Sequence, residues 1–303
     1  MIDGSNPSRW SLPRKRILLR TLRSDPTQEY LLYIPEKGGE NASVLVSVHG
    51  ISRNAYEQAA AFADLCERQG YVLVVPVFTP EQHKDYQRLG RAGRGRRVDL
   101  LLHTILAEVG SLTGADVTQF RIFGFSGGAQ FVHRYVMVHP QRVLAAVVAA
   151  PGWYTFPDSK QRYPFGVRPV RTMPGVQFNP EEFLRVPMTV LIGSLDTGAA
   201  NLRRTDRVDK QQGVTRVERA RNWTAAMRDA ATIYGLEPKV ELDEIPNIGH
   251  SFVDFYRQGK LIERMEKVFA SVSRTESARG SKLSRHRARL GVRTPVVPLE
   301  LVH

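Results

Sequence analysis

The sequence predicts an α/β fold, with a mostly parallel eight-stranded sheet and helices on both of its faces. Runs rich in Val, Leu, Ile and Phe alternate with segments of helical periodicity, a pattern typical of parallel sheets that are covered on both sides. A hydrophobic content of 42% over 303 residues is enough for a packed core. No internal repeat interrupts this pattern, so we expect one continuous domain over residues 15–272.

The first two predicted strands differ from the others because no helical segment separates them. "ILLRTL" and "EYLLYIP" follow each other directly, which indicates an antiparallel start to the sheet. The later strands are "SVLVSVH", "YVLVVPVF", "QFRIFGF", "LAAVVAA", "MTVLIGS" and "VELDEIP". Helical periodicity predicts helices near residues 55–69, 96–110, 127–138, 217–234 and 251–271.

A long segment rich in proline and aromatic residues, 151–187, lies between the sixth and seventh predicted strands. Loops of this length usually serve function or are mobile. Because the segment follows a strand, we expect it to overhang the carboxyl edge of the sheet, where open α/β sheets bind their ligands.

The net charge of +13 is concentrated in three segments. Residues 1–23, 83–97 and 272–303 each carry +5, and the remainder of the chain carries −2. We therefore expect a basic N-terminal arm over 1–14 and a basic, flexible C-terminal tail over 273–303. Basic segments attract polyanions and anionic surfaces, but "RGSKLSRHRARLGVR" has no aromatic residues to stack on bases. We expect no nucleic-acid partner.

The composition also restricts the class of protein. No apolar run reaches about 18 residues, so no membrane span is predicted. The short apolar patch near the N-terminus is interrupted by Arg20 and Arg23, unlike a secretory signal peptide; we expect a cytoplasmic protein. With Cys66 as the single cysteine, neither an internal disulfide nor a cysteine metal cluster can form.

The most informative motif is "FRIFGFSGGAQFV", in which residues 124–128 fit the pattern G-x-S-x-G. It lies where a predicted strand meets a predicted helix, the context in which this motif presents an exposed nucleophilic serine. The following helix offers its N-terminal N–H groups to developing negative charge. We therefore predict that Ser126 is a nucleophile. By contrast, "GRAGRGRR" at 90–97 lacks both the dinucleotide-binding and the P-loop spacing.

A serine hydroxyl needs a base, and the base needs an acid that orients it. His250, in "PNIGHSF" after the last predicted strand, has the loop position that a base requires. "MTVLIGSLD" brings Asp196 to the same edge of the sheet, and three rival acids remain: Asp243, Glu244 and Asp254. His83 is expected in an exposed basic segment, and His133 on a helix surface or half-buried.

The chain order Ser126, Asp196, His250 resembles that of the α/β-hydrolases over roughly residues 15–270. The loop "HGISRNA" and the lack of a helical cap make the chain similar to the polyhydroxybutyrate-depolymerase and feruloyl-esterase group. The resemblance implies an oxyanion hole formed by the backbone N–H of Gly127 and by that of Ile51, with Ser52 as the alternative donor. It assigns His49 a structural role in pinning this loop.

The resemblance implies a serine carboxylesterase that acts on small or medium esters without a metal or an organic cofactor. Trp153 and Tyr154 are candidate walls of a substrate pocket, although such aromatic residues also pack long loops. Arg53 is a candidate for binding a substrate carboxylate, with a surface arginine as the alternative. Two other functions stay open: a catalytically silent binding protein that uses its basic segments, and a triad hydrolase of amides or thioesters.

Overall fold

The sheet contains eight strands in the order β1-β2-β4-β3-β5-β6-β7-β8. In this computed structural model, the residues described are 12–90, 96–200 and 202–272. The strands are β1 (Ile17–Leu22), β2 (Asp25–Tyr33), β3 (Ser43–Val48), β4 (Val72–Pro76), β5 (Asp116–Phe125), β6 (Val143–Ala149), β7 (Met188–Gly193) and β8 (Val240–Ile245). Most of the predicted N-terminal arm, part of the basic segment 83–97 and the whole predicted tail 273–303 lie outside the described residues.

The predicted strand directions are confirmed. Strand β2 pairs antiparallel with both β1 and β4, whereas the pairs from β4 through β3 and β5 to β8 are parallel. The central strands are almost fully buried on both faces, which explains why their sequences are nearly continuous apolar runs.

The helices are α1 (Ala55–Gln69), α2 (Val98–Thr113), α3 (Gly127–Val138), α4 (Pro180–Phe183), α5 (Asp206–Gln212), α6 (Arg216–Ile233), α7 (Phe252–Arg257) and α8 (261–272). Helix α1 connects β3 to β4, a step across the sheet toward its β1 edge. Helices α2, α3 and α6 lie in connections that step toward the β8 edge. Because such crossovers are right-handed, α1 covers one face of the sheet and the other three cover the opposite face. In the described part of the chain, no helix is long and apolar enough to cross a membrane.

The predicted helix over 251–271 is wrong as a single element, because it is two helices. The N–H groups of Gln258 and Gly259 both donate to the carbonyl oxygen of Asp254, at 2.9 and 2.8 Å. Lys260 then takes a left-handed backbone with φ of 50°, which an α-helix cannot continue through. The chain therefore turns before α8 begins.

Candidate active site

Ser126 joins β5 to α3 in a strained turn, with φ of 54° and ψ of −110°. Its N–H donates to the carbonyl oxygen of Ala149 on β6 at 2.8 Å, which helps to fix this conformation. A Cβ atom on Gly124 would lie 2.4 Å from the carbonyl oxygen of Gly128, and one on Gly128 would lie 1.9 Å from that of Val48. The turn therefore requires glycine two residues before and two residues after the serine.

Ser126, His250 and Asp196 form one continuous chain of hydrogen bonds. Nδ1 of His250 donates to Oδ2 of Asp196 at 2.7 Å, and the hydroxyl of Ser126 donates to Nε2 of His250 at 3.0 Å. The carboxylate accepts from Nδ1, so the proton of the neutral imidazole is on Nδ1 and the lone pair of Nε2 points at Ser126. The ring of His250 also stacks on Phe125, with centroids 5.3 Å apart.

Asp196 is also held by a cation that the sequence pattern did not reveal. Nη1 of Arg216, at the start of α6, donates to Oδ1 of Asp196 at 3.2 Å, and both side chains are almost fully buried. The guanidinium also donates to the carbonyl oxygens of Gly198 and Ala200. Arg216 thus ties the aspartate to the loop after β7. In the sequence Arg216 lies directly before the helix predicted near 217–234, and this position carries no information about its partner.

The three rival acids have other contacts. Asp243 forms an ion pair with Arg264, and Glu244 forms one with Arg221. Asp254 lies in the first turn of α7, where its Oδ1 accepts from Gln258 at 3.5 Å. Of these carboxylates and Asp196, it is Asp196 that contacts His250.

The predicted oxyanion donors lie next to each other. A Cβ atom on Gly127 would come within 2.9 Å of Cγ2 of Ile51, and one on Gly50 within 3.4 Å of Cβ of Ser126. Within the described part of the chain, neither Ile51 nor Gly127 donates its backbone N–H to a protein acceptor. Both N–H groups are therefore free to donate to a ligand.

His49 holds this loop in place through two hydrogen bonds. Its Nδ1 donates to the carbonyl oxygen of Gly50 at 2.8 Å, and its Nε2 accepts from the backbone N–H of Phe78 at 3.0 Å. Burial lowers the pKa of His49 to about 4, so the ring is neutral at pH 7. Tyr86 supports the same loop by donating its hydroxyl to the carbonyl oxygen of His49 at 3.0 Å.

A cavity of about 210 Å³ opens beside Ser126. It lies between the loop after β3, the start of α1 and the start of α7. The residues that line it are Ile51, Ser52, Asn54, Glu57, Phe125, Ser126, His250, Phe252 and Val253. The cavity thus brings together Ser126, His250 and the loop of the predicted oxyanion hole.

Trp153, Tyr154 and Arg53 are not among the residues that line this cavity. Tyr154 is fully buried and stacks on Trp223 of α6, with centroids 4.8 Å apart. Trp153 is nearly buried beneath the guanidinium of Arg134, which lies 4.4 Å from its ring centroid. These two aromatic residues pack the start of segment 151–187 onto the domain.

Arg53 is also occupied by protein contacts. Its guanidinium lies 4.6 Å from the ring centroid of Tyr86, and its Nη1 donates to the carbonyl oxygen of Phe78. The side chain is partly buried, and no substrate carboxylate is needed to satisfy that donor.

Two histidines differ from their predicted positions. His83 and His133 are both fully buried. Nδ1 of His83 accepts from the N–H of Thr79 at 2.8 Å, and Nε2 of His133 accepts from the N–H of Thr155 at 3.0 Å. Each histidine therefore accepts a hydrogen bond from a loop N–H group in the interior. The polar character of histidine in the sequence does not indicate such burial. His133 in particular attaches segment 151–187 to α3.

The described residues contain no group of three or more His, Cys, Asp or Glu side chains arranged to hold a metal ion.

A scan against models of known protein families gave no match, and neither did a search of curated proteins.

Solved structures do resemble this chain. A poly(aspartic acid) hydrolase from Sphingomonas sp. KT-1 is 28% identical with a TM-score of 0.68, over 82% of this chain and 97% of that one. A poly(3-hydroxybutyrate) depolymerase from Bordetella parapertussis is 28% identical with a TM-score of 0.63, over 78% and 87%. An acetyl xylan esterase from Aspergillus awamori, 15% identical with a TM-score of 0.54 over 84% and 99%, shares the fold. The chain therefore has the α/β-hydrolase fold and, as its sequence predicted, resembles the polyhydroxybutyrate-depolymerase group.

Proposed function

We propose that this protein is a serine hydrolase that cleaves carboxylic esters through an acyl-enzyme intermediate. The observation that carries the proposal is the hydrogen-bonded chain from Ser126 through His250 to Asp196, with contacts of 3.0 and 2.7 Å. A nucleophile, a base and an orienting acid in this order are what acyl transfer by serine requires.

In the proposed reaction, Oγ of Ser126 attacks the ester carbonyl while Nε2 of His250 takes the hydroxyl proton. Asp196 keeps the imidazole in the Nδ1–H tautomer and stabilises its positive charge. When the tetrahedral intermediate collapses, the C–O bond to the alcohol breaks and His250 returns the proton to the leaving oxygen. Water then adds to the acyl-enzyme by the same route, which releases the acid and restores Ser126.

The backbone N–H groups of Ile51 and Gly127 are the proposed donors to the oxyanion. Ile51 belongs to a loop held by the buried hydrogen bonds of His49, and Gly127 is the first residue of α3. Donors that are already oriented need little rearrangement as charge develops, and removing one such donor typically costs about 3 kcal/mol.

The cavity favours a small substrate. At about 210 Å³ it is smaller than the roughly 300–1,000 Å³ of sites for drug-sized molecules. Aromatic and aliphatic side chains supply part of its wall. We therefore propose short esters as substrates. The names of the two 28% identical structures, a hydrolase and a depolymerase, support a hydrolytic function.

The first test is labelling by a fluorophosphonate, followed by intact mass and peptide mapping. Wild-type protein is expected to gain one adduct on the peptide that contains Ser126, whereas Ser126→Ala gains none. Ser52→Ala is the matched control, because Ser52 lines the same cavity, and it is expected to be labelled on Ser126. A folded wild-type protein that stays unlabelled would favour the silent binding protein instead.

A second measurement compares an oxygen ester, an amide and a thioester as substrates. Rates on p-nitrophenyl acetate, p-nitroacetanilide and an acetyl thioester are compared for wild-type protein and Ser126→Ala. Fastest turnover of the oxygen ester, lost in the variant, supports the proposal. Faster turnover of the anilide or of the thioester would assign the site to one of the other two classes.

A further inference from the structure

The cavity beside Ser126 is lined by a carboxylate that has no cationic partner. Glu57, in the first turn of α1, is exposed and lines the cavity. In the described part of the chain it forms no ion pair, and its Oε2 accepts from Nδ2 of Asn54. Apart from His250, it is the one ionisable side chain among the residues that line this cavity.

Asn54 holds this carboxylate instead of performing its usual role. It occupies the N-cap position of α1, where an asparagine oxygen normally accepts from an N–H of the first turn, but its side chain makes no such bond. Its Oδ1 accepts from the hydroxyl of Ser52 at 3.2 Å, and its Nδ2 donates to Glu57. Residues 52, 54 and 57 thus form a polar wall of the cavity.

Aromatic rings are also part of the lining of this cavity. Phe125 and Phe252 line the cavity and pack edge to face with centroids 5.6 Å apart. A carboxylate attracts an organic cation by charge, and apolar rings in the lining can contact its alkyl groups. The cavity is therefore suited to an alkylammonium group.

We propose that the site selects esters that carry a positively charged group, of the alkylammonium class, and that Glu57 is the residue that determines this specificity. This inference rests on the proposed esterase function. The preference for a cation does not conflict with the net charge of +13 of the whole chain, because the sign of the charge at the cavity is set by the groups that face it. Arg53, the nearby candidate for binding an anion, is directed at Tyr86 and at the carbonyl oxygen of Phe78.

Glu57 also occupies a position where any acid stabilises a helix. An acidic residue in the first turn interacts favourably with the helix dipole, and this effect changes stability without changing substrate preference. Asp64 lies on the same helix, is exposed, and does not line the cavity. Asp64→Asn is therefore the matched control for loss of one negative charge from α1.

The experiment compares two acetates of equal shape, 2-(trimethylammonio)ethyl acetate and its neutral carbon isostere, 3,3-dimethylbutyl acetate. A second pair places the same two groups on the acyl side, as p-nitrophenyl 4-(trimethylammonio)butanoate and p-nitrophenyl 5,5-dimethylhexanoate. The quantity measured is the ratio of kcat/KM for the charged ester to that for the neutral one. It is determined for wild-type protein, Glu57→Gln, Glu57→Lys and Asp64→Asn.

In at least one pair, wild-type protein is expected to prefer the cation about two- to fivefold at low salt, from attraction by the carboxylate of Glu57. Glu57→Gln is expected to lower the ratio about threefold, and Glu57→Lys to lower it further. Asp64→Asn should keep the wild-type ratio. The preference due to Glu57 should fade as salt rises from about 0.01 to about 1 M, because the Debye length falls from about 30 to about 3 Å.

A wild-type ratio near one in both pairs, or a ratio that Glu57→Gln leaves unchanged, would overturn the inference while the esterase function stands. Failure of wild-type protein to hydrolyse any of the four esters would overturn the proposed function together with this inference. Melting temperatures of the variants establish that each is folded, so that a changed ratio reports substrate preference.

Discussion

Arg216 and His250 contact opposite oxygens of the same carboxylate. Oδ1 of Asp196 accepts from Arg216 at 3.2 Å, and Oδ2 accepts from His250 at 2.7 Å. The side chains of Arg216 and Asp196 are 3% and 1% exposed, so water cannot replace either contact readily. The orientation of Asp196 toward the imidazole therefore depends on a residue that contacts neither Ser126 nor the cavity.

Arg216→Met is expected to lower kcat about 10- to 100-fold with little change in KM, because a small displacement of Asp196 misorients His250. It should also destabilise the fold by roughly 3 kcal/mol, since Asp196 would lose its buried partner. Arg216→Lys retains the charge and should recover part of kcat. Steady-state kinetics and urea unfolding of both variants measure these effects. Equal kcat values for the Met and Lys variants would contradict the proposed positioning role.

Asp196→Asn tests the assignment of the acid. The amide can donate to Nδ1 and so favour the other tautomer, in which Nε2 carries the proton and cannot accept one from Ser126. Comparable changes cost about 10⁴-fold in kcat. Asp243→Asn is the matched control, because Asp243 pairs with Arg264 and does not line the cavity. A large loss confined to Asp243→Asn would show that the acid is assigned wrongly.

Much of the fold was predictable because β3, β4, β6 and β7 are nearly uniform apolar runs and the nucleophile motif lies at a strand end. The mostly parallel sheet of eight strands is confirmed. The order of the strands was not predicted, because it depends on the handedness and direction of the crossovers. Helix α5 was missed because its 7 residues are too few for helical periodicity to be visible.

Side-chain partners within the site were less predictable. The sequence indicated Ser126, His250 and Asp196 through their positions at strand ends, and the structure places them in hydrogen-bonding contact. Arg216 and His133 act through contacts far away in the chain, at separations of 20 and 22 residues. No local pattern marks such a partner, because burial of a polar residue is decided by the packing of several elements together.

Gly128→Ala is expected to prevent folding of the turn that carries Ser126. The new Cβ would meet the backbone oxygens of Val48 and His49 at 1.9 and 2.7 Å, and a central strand cannot move away without disrupting the sheet. A penalty above about 3 kcal/mol is expected from such overpacking. Gly198→Ala is the control, because nothing lies within 4 Å of its Cβ position. Soluble yield and melting temperature measure both, and an unchanged melting temperature for Gly128→Ala would contradict the geometry.

The buried neutral histidines predict a loss of stability in mild acid. Burial lowers the pKa of His49 and of His83 to about 4, and lowers that of His133 well below its ordinary value. In the unfolded chain these rings take up protons as the pH falls through about 6.5, whereas in the folded protein they stay neutral until the pH is near 4 or lower. Their contribution to stability is therefore complete above pH 6.5 and is lost as the pH falls below it.

At pH 5, protonation of His49 in the unfolded chain alone should remove about 2 kcal/mol from the free energy of unfolding. Urea unfolding at intervals from pH 8 to pH 5 measures this loss, in a range above the ordinary titration of carboxyl groups near pH 4. His49→Gln should be less stable at pH 8 but should show a shallower decline toward pH 5, because one titrating ring has been removed. A free energy of unfolding that stays constant down to pH 5 would show that these rings are not held neutral by the fold.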